Sequence, residues 1–204
     1  MPACFSATDG NDSHDSLCYY FNTDMSLLTK QTPNSKDQIE LAKKIATEKF
    51  AEAGIKNHFI DVFQILKNEF NVNDQNILVA GLLHDTLEDT STTYKEIEKT
   101  FSRNIADLVK EVSHQKNYNQ EEKIAYYEKI KTISPEAKMI KLADFASHLR
   151  NFIKIYEREE QHLYPKFANN DKYIASIREF LESCTESVGK EIVYDLTKKL
   201  DVLL

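Results

Sequence analysis

One histidine and three carboxylates follow an almost uninterrupted apolar run over residues 77–83: His84, Asp85, Glu88 and Asp89. Burying such groups without partners would cost several kcal/mol for each charge. A shared metal ion, or a cluster of hydrogen bonds, would remove that cost. The pattern therefore indicates a polar site built into a core-forming segment.

Within this motif the polar residues recur at helical spacing. His84 and Glu88 are four residues apart, as are Asp85 and Asp89, so each pair would stack along one column of a continuous helix. His84 and Asp85 could then hold one divalent cation, with the other two facing the same cleft. The alternative is a helix C-terminus with solvated carboxylates. Acidic residues there oppose the helix dipole, which favours the functional interpretation.

Two further candidate ligands lie elsewhere in the chain. His58 stands at the start of a predicted helix, and Asp144 lies in a largely apolar segment. Taken singly, His58 is a helix-start surface residue and Asp144 is a salt-bridge partner of Lys141 or Arg150. Together with the motif they make a set of two histidines and two aspartates. Such a set suits a hard or borderline divalent ion such as Mn²⁺ better than a soft one.

The elements that must position these residues are predicted to be helices. Only four Gly and four Pro occur in 204 residues, which leaves few turns. Ser35 and Gln38 form a capping box, Gly54 is a helix stop, Asp74 can cap the helix of the motif, and Ser134-Pro135 opens the helix of Asp144. Other helices are predicted over residues 58–69, 104–112, 119–130, 171–183 and 188–203, and from Thr93. The predicted fold class is all-α.

Composition limits the functional classes. Residues 1–34 are rich in Ser, Asp, Asn and Thr and are predicted to form a poorly ordered leader before a domain over residues 35–204. The net charge of −7 argues against a binder of nucleic-acid polymers. Three cysteines without metal-type spacing, no visible secretory signal and no apolar run of about 20 residues favour a cytoplasmic protein without membrane segments.

A resemblance to a known family narrows the interpretation. The sequence Gly-Leu-Leu-His-Asp-Thr-Leu-Glu-Asp-Thr at 81–90, with Lys-Leu-Ala-Asp at 141–144, resembles the HD phosphohydrolase superfamily. More narrowly, it is similar to the hydrolase domain of RelA/SpoT-type enzymes and their small stand-alone relatives. Those enzymes remove the 3′-pyrophosphate of (p)ppGpp with Mn²⁺. The resemblance implies an HD-domain helical bundle, one divalent cation and a small nucleotide substrate.

The resemblance also implies roles for individual residues. The implied metal ligands are His58, His84, Asp85 and Asp144. Glu88 and Asp89 correspond to the catalytic acidic pair, which orients a water molecule or accepts its proton. Water activated by the cation would then attack phosphorus directly.

Substrate contacts follow the family pattern less closely. By resemblance Lys116 meets a phosphate and Tyr173 lies near the ribose, with a solvated lysine and a core aromatic as the alternatives. His148 replaces a family asparagine, and is expected to reach a phosphate or to reshape the pocket. Before His58, the stretch 53–59 is short and lacks the family's Tyr and Pro. Another nucleotide or phosphorylated metabolite is therefore the alternative substrate. A non-catalytic nucleotide-binding protein is a third hypothesis, against which the retained ligands argue.

Overall fold

In a computed structural model of the protein, the described residues are 35–54, 58–114, 119–160 and 170–204, and their regular secondary structure is entirely helical. The helices are α1 (Ser35–Glu52), α2 (His58–Gln64), α3 (Gln75–Leu83), α4 (Thr86–Asp89), α5 (Tyr94–Thr100), α6 (Arg103–Val112), α7 (Gln120–Ile130), α8 (Pro135–Glu157), α9 (Asn170–Glu182) and α10 (Val188–Leu203). The all-α prediction is confirmed. The predicted leader, residues 1–34, lies outside the described residues, so that boundary stays a prediction.

Local capping chemistry sets the helix ends that the sequence predicts. The Asp74 side chain accepts a hydrogen bond of 2.7 Å from the Asn76 backbone N–H at the start of α3. Thr93 and Glu96 form a reciprocal capping box at α5. Past the end of α1, Gly54 adopts φ +71°, the left-handed conformation that favours glycine. These boundaries depend on short-range contacts, which explains why the sequence reveals them.

The end of α2 departs from a regular α-helix. It continues as a π-helical turn over Ile65–Glu69, where the Phe70 N–H donates to the Ile65 carbonyl at 3.0 Å. This turn presents Glu69 to α8, and the Arg150 guanidinium donates to both Glu69 carboxylate oxygens at 2.6 and 2.7 Å. The bidentate ion pair ties the element carrying His58 to the helix carrying the predicted aspartate ligand.

The core places the motif at a helix junction. Every residue of α3 from 77 to 83 is buried, and α3 packs against α1, α2, α6 and α8. In α8 an unbroken buried stretch runs from Lys141 to Ser147. The end of α3, the start of α2 and the middle of α8 therefore meet inside the protein. Within the described part of the chain, no helix combines the length and the apolar character needed to cross a membrane.

Gly81 allows α3 to approach the π-helical turn closely. A Cβ atom at this position would lie 2.5 Å from Leu66 Cδ1, and Leu66 is fully buried. We expect overpacking in Gly81→Ala to cost about 1–3 kcal/mol of the free energy of unfolding. Alanine's helix propensity returns roughly 1 kcal/mol, so the expected net loss is about 1–2 kcal/mol. Urea unfolding monitored by circular dichroism measures the net change.

The control combines Gly81→Ala with Leu66→Val, which removes the Cδ1 atom. Because the clash is relieved, the double variant should lose less free energy of unfolding than the two single variants lose in sum. An unchanged or higher unfolding midpoint for Gly81→Ala alone would contradict the packing argument.

Candidate metal centre

The motif is interrupted where the sequence predicted one continuous helix. Helix α3 ends at Leu83, Asp85 has φ −95° and ψ 0°, and the short helix α4 begins at Thr86. The Thr86 hydroxyl donates to the Leu83 carbonyl at 2.6 Å, and the Ser113 hydroxyl donates to the His84 carbonyl at 3.2 Å. These bonds satisfy carbonyl groups that the interruption leaves without helical partners. The prediction of one continuous helix through the motif was therefore wrong, although the Asp89 N–H still donates to the Asp85 carbonyl at 2.9 Å.

The four predicted ligands nevertheless converge. His58 Nε2, at the start of α2, lies 2.9 Å from Asp144 Oδ1 in the middle of α8. His84 Nε2 lies 3.0 Å from Asp85 Oδ2 and 3.8 Å from Asp144 Oδ1. One ligand atom from each of His58, His84 and Asp85 falls within 4.8 Å of the others. Two ligands about 2.1 Å from a shared ion lie at most about 4.2 Å apart, so a small adjustment would bring this set onto one cation.

The orientation of His84 fits a metal ligand. Its Nδ1–H donates to the Gly81 carbonyl at 2.9 Å, which directs the Nε2 lone pair inward. The residue is 1% exposed, and Nε2 faces Asp85 Oδ2 at 3.0 Å without a well-aligned hydrogen bond to any described residue. Such a buried polar atom needs compensation. A cation held between His84 and the neighbouring carboxylates would supply it.

Nearby charges dominate the ionisation of these groups. Burial by itself would lower the pKa of His84, but the carboxylates of Asp85 and Asp144 outweigh it and raise the pKa to about 9. Burial would likewise raise the pKa of Asp144, yet the Lys141 ammonium and the surrounding histidines hold it well below its ordinary value. The carboxylates therefore favour positive charge beside Nε2: a proton supplies it in the metal-free protein, and a bound cation would replace that proton.

Asp144 uses its two oxygens differently. Lys141 Nζ donates to Oδ2 at 2.6 Å, while Oδ1 faces the two histidines. Lys141 is itself buried, with its ammonium 5.1 Å from the centre of the Phe145 ring. Asp144 therefore forms the salt bridge to Lys141 that the sequence suggested, and its Oδ1 atom is still available for the predicted role as a metal ligand. The alternative partner Arg150 pairs with Glu69 instead.

Glu88 and His114 form a second hydrogen-bonded pair. Glu88 Oε1 accepts a 3.0 Å hydrogen bond from the His114 backbone N–H, and Oε2 lies 2.7 Å from His114 Nε2. The residue is 9% exposed. Asp89 is half-buried, and its backbone N–H donates to the Asp85 carbonyl at 2.9 Å. The sequence analysis missed His114; its position directly after amphipathic α6 was the available signal.

The three predicted substrate contacts fall in different places. His148 lies beside the ligands, with its ring stacked on His58 at a centroid distance of 4.5 Å. The Tyr173 hydroxyl is 3.3 Å from His148 Nδ1, and its ring packs against Phe145. Lys116 lies outside the described residues. The structure thus brings two of the three to the cluster, and their substrate roles stay predictions.

Comparison with known proteins agrees with this geometry. Residues 39–172, well over half of the sequence, match the HD domain. The chain belongs to the HD domain family. Its fold also resembles a solved structure described as a metazoan ortholog of SpoT that hydrolyses ppGpp, with a TM-score of 0.66 at 26% identity over 82% of this chain and 97% of that one. A Listeria monocytogenes protein gives a TM-score of 0.61 at 25% identity, over 70% of this chain and 97% of that one.

Sequence relatives of this HD domain carry a hydrolase name. The chain is 41% identical over 96 residues to the guanosine-3′,5′-bis(diphosphate) 3′-pyrophosphohydrolase MESH1 of Drosophila melanogaster, and 43% identical over 96 residues to that of Homo sapiens. Each match covers 47% of this chain and 54% of the relative. The chain therefore spans about half the length of these relatives.

The HD domain also has a cavity next to the Glu88–His114 pair. Its volume is about 670 Å³, and residues from α6 and α7 form most of its walls. They include His114 itself, Tyr126 and the two lysines Lys110 and Lys129. Glu122 also lines this cavity, so its charge is mixed, and its volume is sufficient for part of a small molecule.

Proposed function

We propose that this protein is a metal-dependent phosphohydrolase that removes the 3′-pyrophosphate of guanosine 3′,5′-bis(diphosphate), with Mn²⁺ as its cation. The observation that carries the proposal is the buried His84 Nε2, which faces Asp85 and Asp144 and lies in one group of potential ligands with His58. The names of the relatives support the choice of substrate. A cytoplasmic location remains a prediction from composition.

The proposed mechanism assigns one task to each group. His58, His84, Asp85 and Asp144 would hold the cation, which when bound would acidify a water molecule and neutralise phosphoryl charge. The Ser147 hydroxyl lies 3.2 Å from His58 Nδ1, where it can accept the ring N–H and leave Nε2 as the ligand atom.

Glu88 and Asp89 would orient the attacking water and accept its proton. His114 fixes the Glu88 carboxylate through two contacts, so that this group is positioned before substrate binds. Attack on phosphorus then displaces the alcohol oxygen of the 3′-ester, and no covalent enzyme intermediate is invoked. Lys116, His148 and Tyr173 remain the proposed substrate contacts.

A second candidate keeps the reaction and changes the substrate to another nucleotide or phosphorylated metabolite. The connection between α1 and α2 favours it, because α1 ends at Glu52 and α2 begins at His58. A connection this short offers few groups to recognise a base next to the metal ligand. Guanine recognition would then depend on other parts of the chain.

The deciding experiment is a product-release assay with Mn²⁺ over ppGpp, GTP, NADPH and nucleoside monophosphates. Release of pyrophosphate from ppGpp supports the first candidate, and turnover of another member alone supports the second. Metal binding without turnover of any member would contradict the first candidate and favour a nucleotide-binding protein without catalysis.

His114 offers a test of how Glu88 is held. We expect His114→Ala to lower kcat roughly ten- to a hundredfold, the usual effect of losing an outer-shell partner, without loss of bound metal. KM should change less than kcat, because His114 contacts the carboxylate and not the ligand set. Steady-state kinetics and metal analysis of the purified variant measure both quantities.

The matched control is His114→Gln, which keeps the backbone N–H bond and restores a side-chain donor. It should recover part of the lost kcat. Full activity of His114→Ala would show that the pair does not position Glu88 for catalysis.

A further inference from the structure

Side chains from α7 bind the carbonyl groups at the end of α6. The last carbonyl groups of a helix have no partner within that helix. Here the Tyr126 hydroxyl donates to the Val112 carbonyl at 2.8 Å, and the Lys129 ammonium lies 3.3 Å from the Ser113 carbonyl oxygen. Tyr126 is 8% exposed, so its hydrogen bond is shielded from water. The backbone is therefore restrained by α7 immediately before it reaches His114.

The same tyrosine contacts the side chain of His114. The two rings meet edge to face, with their centroids 5.1 Å apart and an interplanar angle of 78°. His114 in turn contacts both oxygens of the Glu88 carboxylate: its backbone N–H donates to Oε1 at 3.0 Å, and its ring Nε2 lies 2.7 Å from Oε2. Tyr126 therefore restrains the backbone before His114 as well as the ring of His114, which are the two sources of these contacts.

The surroundings of Tyr126 keep its hydroxyl protonated. Burial raises the pKa of this hydroxyl to about 12, and the nearby Lys141 ammonium opposes that shift only in part. The hydroxyl therefore remains a donor to Val112 at neutral pH. Lys141 Nζ lies 5.7 Å from the centre of the Tyr126 ring and also donates to Asp144 Oδ2 at 2.6 Å. Tyr126 thus contacts the residue that holds Glu88 and lies beside the partner of a predicted metal ligand.

We propose that Tyr126 is a positioning residue, which through Val112 and His114 sets the place of the Glu88 carboxylate relative to the predicted metal ligands. A small displacement of a catalytic group can remove a large part of the rate. The Tyr126 hydroxyl is buried and already bonded to Val112, so it acts through the protein and not by contact with the substrate. The inference rests on the proposed function for the role of Glu88, but it does not depend on which substrate is bound.

Tyr126→Phe removes the hydroxyl and keeps the ring. We expect this variant to lower kcat roughly five- to tenfold, less than His114→Ala, because the imidazole stays in place but is less restrained. KM and Mn²⁺ affinity should stay close to the wild-type values, because the substitution changes no predicted metal ligand and no exposed group. Steady-state kinetics, with the substrate identified in the product-release assay, and calorimetric titration with Mn²⁺ measure these quantities.

The matched control is Tyr94→Phe. The Tyr94 hydroxyl donates at 2.7 Å to Asp107 on the same helix, about two turns before His114, so its removal should leave kcat unchanged. In a double-mutant cycle, Tyr126→Phe should lower kcat clearly less in the His114→Ala background than in the wild type, because part of the path to Glu88 is already lost. An equal loss in both backgrounds would show that Tyr126 acts independently of His114 and would overturn the proposal.

Amide hydrogen exchange tests the same contact without any activity. In the wild type, the His114 amide should be protected by its bond to Glu88, and exchange at the rate of an exposed amide would contradict the proposal even without a variant. In Tyr126→Phe, but not in Tyr94→Phe, this amide should exchange faster relative to the amides of α10. An equal change at His114 and in α10 would indicate a general loss of stability and would also overturn the proposal. If the wild type turns over no substrate while the local change is observed, the proposed function fails, whereas the coupling of Tyr126 to Glu88 stands.

Discussion

Asp85→Ala is expected to abolish metal binding and turnover together, with a loss of activity of more than about a thousandfold. Asp85 Oδ2 is 3.0 Å from His84 Nε2, and both residues belong to one of the two groups of potential metal ligands among the described residues. Removing this carboxylate takes away a ligand and one of the negative charges that balance a divalent ion. Metal content after dialysis and the phosphate-release rate measure the two effects.

The control for this prediction is Glu88→Ala in the same motif. Glu88 contacts His114 through both carboxylate oxygens and is absent from both ligand groups. We therefore expect this variant to keep its metal while turnover falls, because general acid–base groups contribute roughly a hundred- to ten-thousandfold. A fully active Asp85→Ala enzyme would refute the metal assignment. Equal metal loss in both variants would indicate general damage to the motif.

Asp144→Ala is expected to lower the free energy of unfolding of the metal-free protein by about 3–5 kcal/mol. The substitution leaves the Lys141 ammonium buried without the carboxylate that accepts its 2.6 Å hydrogen bond. An uncompensated buried charge is costly, because water no longer solvates it and no opposite charge replaces the lost partner. Urea unfolding in the presence of a chelator measures this loss apart from any contribution of bound metal.

The double variant Asp144→Ala with Lys141→Met separates the cost of the unpaired Lys141 ammonium from the cost of the cavity at Asp144. Methionine fills a similar volume against Phe145 without a charge, so we expect the double variant to recover most of the stability lost by the single one. Metal binding should remain absent from both. A double variant as unstable as Asp144→Ala would show that the loss comes from the cavity and not from the unpaired ammonium.

The sequence predicted the starts of several helices well, because short-range contacts determine those starts. Asp74, Thr93 and Asn119 each accept a bond from a backbone N–H two or three residues ahead. Such caps act between neighbours along the chain, so residue types and spacing contain the required information. The same reasoning failed at His84–Asp85. There, Ser113 from the end of α6 satisfies a carbonyl that a continuous helix would have used, and no local pattern announces that contact.

The predicted metal site also combines features that the sequence predicts with features that depend on contacts between distant residues. Residue types and the family resemblance predicted the four ligands, because a histidine and carboxylates in a core-forming segment are too costly without a partner. Spacing along a helix cannot reveal that Asp144 gives one oxygen to Lys141 and the other to the histidines. It also cannot reveal that His148 stacks on His58, a residue on a different helix.

The chemistry of His84-Asp85 was therefore determined by the sequence itself, in its residue types and its apolar surroundings. Only the tertiary structure decided which groups these two side chains face. The interruption after Leu83 points His84 toward α2 and α8, while His114 takes hold of Glu88. Local sequence sets the cost of burying each polar group, whereas contacts between distant helices decide which partner offsets it.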